Sequence, residues 1–72
     1  MTKQQMENGI AKRYKTSDSE VKRLMEIQSI DPSSDLNAAL LNSRIGERSA
    51  LGELLACFFG YSDGELVELS RE

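Results

Sequence analysis

Residues Ser49-Ala50-Leu51-Gly52-Glu53-Leu54-Leu55-Ala56-Cys57-Phe58-Phe59-Gly60 carry the strongest pattern in this chain. Leu51, Leu54, Leu55, Phe58 and Phe59 fall at i, i+3, i+4, i+7 and i+8, the spacing of one helix face. Ala50 and Cys57 widen that face to roughly half the helix circumference. Gly60 is a natural stop, because glycine enters the left-handed conformation without a Cβ clash. The centre of the stripe lies between Leu51, Leu55 and Phe58, so Phe58 is expected in a core and Phe59 at its edge. Cys57, on the flank, reads as a small buried hydrophobe.

The punctuation outward from this helix is capping chemistry. Ser62-Asp63-Gly64-Glu65 is a capping box that opens a short last helix with Leu66, Val67 and Leu69. Upstream, Asp31-Pro32 pushes the preceding backbone out of the helical region. Asp31, Ser33 or Ser34 can each cap the helix that follows, in which Leu36, Ala39 and Leu40 face one way with Leu41 beside them. Asn42-Ser43 and Gly46 weaken its middle, so residues 35–59 read either as one kinked helix or as two. Ser17-Asp18-Ser19-Glu20 is another capping box, with two acids suited to the positive end of a helix dipole. It predicts a helix start, followed by the stripe Val21, Leu24 and Met25, with Gln28 at the next stripe position and an end near Ser29. Thr2-Lys3-Gln4-Gln5 caps a first helix over about residues 3–14 that aligns Met6, Ile10 and Tyr14. Gly9 inside it costs ~1 kcal/mol against Ala, which makes residues 1–16 the least secure segment, either helix or N-terminal arm. No stretch alternates in the manner of a strand. The fold class is therefore all-α: one domain over residues 1–72, a hairpin or bundle of three to five short helices.

Size bears on how such a bundle holds together. At 72 residues and 8.0 kDa, with 39% apolar and 29% charged residues, the composition is that of a small globular chain. A domain of this size buries only about 60% of its unfolded surface and is marginal alone. Cys57 is the sole cysteine, so no intrachain disulfide can form, and one Cys with no His makes a structural zinc site a poor fit. Tight helical packing or homo-oligomerisation remains. One unpaired Cys also points to a reducing compartment, the cytoplasm. No signal-peptide pattern opens the chain, and no apolar run approaches the length of a membrane span.

Several function classes fall away at this stage. General acid–base and nucleophilic catalysis most often recruit His, which is absent, so a non-enzyme without cofactor or metal is expected. The net charge of −3 divides into +1 over residues 1–34 and −4 over residues 35–72. Neither half is basic enough for a dedicated nucleic-acid binder. A helix-turn-helix over Ser19–Leu41 would use a recognition helix with no Lys or Arg. Lys12-Arg13-Tyr14-Lys15 is the one dense basic cluster. It supports the second reading, an anion, nucleotide or nucleic-acid site with Tyr14 stacking, against the plainer one of a solvated helix end.

The wide apolar face decides the leading expectation. The chain has few apolar side chains to cover it, and Phe58, Phe59 and Tyr61 cluster at its end as interface anchors do. Leu55, Phe59 and Tyr61 are the expected partner-binding residues. The expected function is non-catalytic protein binding, as a regulator, inhibitor or adaptor, with itself and another protein as partners. Short, His-free, acidic helical chains of this kind resemble in style the accessory proteins of phages, plasmids and secretion systems, a resemblance that assigns no residue.

Overall fold

The computed structural model describes residues 1–71. It holds three helices and, among the described residues, no strand: α1 (Lys3–Ile30), α2 (Asp35–Phe59) and α3 (Asp63–Leu69). The 28 residues of α1 rise about 42 Å at 1.5 Å each, which accounts for the long dimension of a 43 × 22 × 17 Å molecule. α1 and α2 run antiparallel as a hairpin, and α3 folds back against it.

Thr2 caps α1 as the sequence predicts, with its Oγ accepting from the Gln5 amide at 3.1 Å and the Gln5 side chain returning to the Thr2 amide at 2.9 Å. The expected break near residue 16 is not there. Nothing between Tyr14 and Ser17 removes a backbone donor or favours another conformation, and Thr16 donates its hydroxyl to the Lys12 carbonyl as an interior residue does. Ser17 and Asp18 are not a cap; they are buried in the contact with α2. A helix of 28 residues thus replaces the two short ones expected, and residues 3–16 are helical. Residues 35–59 likewise form one helix.

The turn is set by side chains reaching backbone. Ser34 caps α2 by accepting from the Asn37 amide at 3.2 Å. Asn37 is buried and donates to the Leu24 carbonyl at 3.2 Å and to Gln28 Oε1 at 2.9 Å. Gln28 in turn donates to the Pro32 carbonyl at 3.1 Å, which explains a polar residue in an apolar stripe position. At the other end Gly60 takes φ 73° and stops α2, and Ser62 and Glu65 close the expected capping box of α3.

α1 meets α2 along Ile10, Tyr14, Ser17, Val21, Leu24 and Gln28, at alternating steps of four and three. α2 answers with Asn37, Leu41, Arg48, Gly52, Leu55 and Phe59. A Cβ on Gly52 would lie 3.3 Å from Tyr14 Cε2, so the helices approach closely there. That approach draws the contact line of α2 to one flank of its broad apolar face. Leu55 is fully enclosed and Phe59 half-buried, whereas Phe58 is 70% exposed, the reverse of the expectation for Phe58. The same offset exposes Leu36, Ala39, Leu40 and Cys57 and leaves Leu41 as the residue turned toward α1. Met25 is also exposed. Buried apolar side chains are confined, among the described residues, to Val21, Leu24 and Leu55.

Candidate functional site

α3 covers one side of the hairpin. Leu66 Cδ1 comes within 4.0 Å of the space beside Gly52, and Lys22 Nζ donates to the Ser70 carbonyl at 2.6 Å. The opposite side has no covering element. There, between the start of α1 and the end of α2, Lys3, Met6, Ile10, Leu54, Phe58 and Phe59 line an apolar groove of about 430 Å³. Its end is closed by the Lys3 ammonium, 5.9 Å from the centre of the Phe59 ring, within range of a cation–π attraction. Met6 and Phe58 form the exposed rim, and Leu54 is also accessible.

The groove runs into a charged middle. Arg13 Nε lies 3.0 Å from Glu47 Oε1, and Ser17 donates its hydroxyl to the same oxygen at 2.6 Å. Arg44 pairs with Glu20 and reaches Glu47 Oε2 at 3.4 Å. On the α3 side, Asp18 accepts from Arg48 at 3.0 Å and Lys22 at 2.9 Å. Among the described residues every buried side-chain polar atom has a partner. The Ser17 hydroxyl and the Arg13 and Arg44 charges hold the Glu47 carboxyl below its ordinary value against the opposing effect of partial burial. A slip of one helical turn would separate Glu47 from Arg13, Glu20 from Arg44 and Asp18 from Arg48, so these pairs between α1 and α2 fix the register of the hairpin. The sequence places Asp18 and Glu20 in the first turn of a helix opened by Ser17. The signal that would have placed them is the three–four repeat through Tyr14, Ser17 and Val21, which runs on unbroken across the false helix start.

The residues expected to bind a partner divide three ways. Phe59 lines the groove. Leu55 is 0% exposed and belongs to the intramolecular core, so it has no surface to offer. Tyr61 lies on the α3 side, half-buried with Lys15, Glu65 and Leu69. Desolvation there, with the Glu7 and Glu65 carboxylates, raises its phenol above the ordinary value. Lys3, Met6, Ile10, Leu54 and Phe58 line the groove without being among the expected partner-binding residues.

The basic cluster does not converge. Lys12, Arg13, Tyr14 and Lys15 are consecutive in the middle of α1, so 100° steps send them in different directions. Lys12 is exposed, Arg13 pairs with Glu47, Tyr14 turns toward Gly52, and Lys15 faces Glu65 and Glu68. The helix-end explanation fails with it, since α1 continues fifteen residues past Lys15 to Ile30. Among the described residues no three acidic or cysteine side chains gather as metal ligands, and no helix is long and apolar enough to cross a membrane. No family model matches this sequence, and no curated protein or solved structure shows significant similarity to it.

Proposed function

We propose that this chain is a non-catalytic protein-binding module, a regulator, inhibitor or adaptor that works through helix–helix contacts on the side of the hairpin away from α3. The observation that carries this reading is the groove between Met6, Ile10, Leu54, Phe58 and Phe59. It is apolar, lies between two helices and is left open by the chain's own third helix. An amphipathic helix laid into such a groove buries its apolar side chains at i, i+3, i+4 and i+7. Phe58, a large aromatic exposed beside the groove, offers the kind of apolar anchor that is enriched where protein interfaces are buried. Dispersal of the basic cluster removes the support for the anion-binding alternative.

The test uses the chain as bait in its native cell extract, beside Leu54→Asp/Phe58→Asp and Lys12→Gln/Lys15→Gln variants. The reading expects proteins retained by the wild type to be lost from the first variant, kept by the second, and held with little dependence on salt. Retention that survives Leu54→Asp/Phe58→Asp, or that collapses with salt and with loss of the lysines, contradicts it, because phosphate-type binding weakens steeply as salt rises.

A further inference from the structure

The open side of the hairpin bears a repeat that the hairpin itself does not use. On α1, Met6, Arg13, Glu20 and Ile27 follow one another at steps of seven. On α2, Leu40, Arg44, Glu47, Leu51, Leu54 and Phe58 follow at alternating steps of four and three. Either spacing keeps one line along a helix that packs lengthwise on another. α2 therefore carries two packing lines about a quarter turn apart, and α1 occupies one of them.

From this second line we infer that the open side is the dimer interface between two copies of this chain, whose α1–α2 hairpins pair into a four-helix core. The inference rests on the protein-binding reading above and names the occupant of the groove.

Charge argues for a second copy in particular. At the middle of the open side Arg13 and Glu20 on α1 stand beside Glu47 and Arg44 on α2, each cation paired with the anion across from it. Signs therefore alternate both along the hairpin and across it. A square of alternating charges is complementary to its own image after a two-fold rotation. Whether the two hairpins run parallel or antiparallel, every cation of one copy meets an anion of the other. Isologous contacts require such self-complementarity, and a partner of unrelated charge pattern would leave like charges opposed. Apolar side chains flank the square at both ends, Met6, Leu54 and Phe58 on one and Ile27 and Leu40 on the other, all of them exposed in the single chain.

Area argues the same way. A compact monomer of this mass exposes about 4,450 Å², whereas this chain exposes 5101 Å². The excess of roughly 650 Å² approaches the ~800 Å² that each partner contributes to a standard interface. The radius of gyration is 13.6 Å, against about 11 Å for a compact chain of this length. With three apolar side chains buried among the described residues, the hairpin needs cover whenever it is folded, and another copy of itself is the one partner present at its own concentration.

Sedimentation equilibrium on the full chain at micromolar concentrations, beside Phe58→Glu, tests this. The wild type is expected at twice the 8.0 kDa chain mass. Phe58→Glu is expected to keep its helical circular dichroism, since the side chain is exposed, and to dimerise at least about thirtyfold more weakly. A wild-type monomer overturns the inference, and so does a dimer that Phe58→Glu leaves unchanged. Fluorescence of anilinonaphthalene sulfonate then separates the two levels. A monomer that binds the dye in the wild type but not in Phe58→Glu keeps a groove open to other partners. A monomer that binds none removes the protein-binding reading as well.

Discussion

Gly52 shows how one missing side chain sets the geometry of the hairpin. Nothing lies within 4 Å of a Cβ at Gly46, but at Gly52 the ring of Tyr14 stands 3.3 Å away. Gly46→Ala should therefore raise stability by about 0.5–1 kcal/mol through helix propensity alone. Gly52→Leu should lower it by about 1–3 kcal/mol, because the Tyr14 ring would have to leave the seam. Urea melts of the two variants distinguish the positions; equal effects would mean that Gly52 makes no close contact. Asn37 is the corresponding residue at the turn. Asn37→Ala removes both donors that hold Leu24 and Gln28 and should cost about 1–3 kcal/mol.

Glu47 adds a dependence on pH. Its carboxyl titrates lower when folded than the ordinary 4.5, chiefly because it accepts from Ser17 and then because Arg13 and Arg44 lie beside it. The stabilisation this carries is complete above the unfolded value and is lost as pH falls through the lower folded value. The stability difference between wild type and Glu47→Gln should thus stay constant from neutral pH down to about 4.5 and shrink below it. A gap that persists unchanged in acid would separate Glu47 from the pairing described.

At the scale of the helices, the termini were legible and the faces were not. Thr2, Ser34, Gly60 and Ser62 act where local chemistry puts them, because a cap depends on residues three or four apart. The Ser17 box has the same spelling, but its Ser17 hydroxyl serves Glu47, thirty residues away, and its Glu20 carboxylate serves Arg44. Pattern alone does not separate the two uses without a stop before the box. The broad apolar face of α2 hid its contact line for a related reason. Averaging over Leu51, Leu54, Leu55, Phe58 and Phe59 points at the middle of the face, whereas Gly52 pulls α1 to one side of it. Leu55→Ala should cost about 2–5 kcal/mol, as for a fully enclosed leucine, and Phe58→Ala should cost far less monomer stability. Comparable losses measured under conditions that hold both variants monomeric would place Phe58 in the core after all. Of the candidate site, the sequence disclosed Phe59 and the abundance of apolar surface; Met6 and Leu54 meet only through the pairing of helix ends distant in sequence.

At the scale of the molecule, the antiparallel hairpin has one side roofed by α3 and the other bare. Its open side reads apolar, charged, apolar from end to end, and its charged middle matches its own image. As the dimer interface we infer, this side is covered in solution. Methyl relaxation by a soluble gadolinium chelate, recorded on the chain at high concentration and after dilution, tests for that cover. Ile27, Leu40 and Leu54 should become shielded as concentration rises, while Ile30 at the turn and Val67 on α3, exposed but off this side, stay fully relaxed. Shielding that falls on Val67 and Ile30, or no change at Ile27, Leu40 and Leu54 at any concentration, would contradict it.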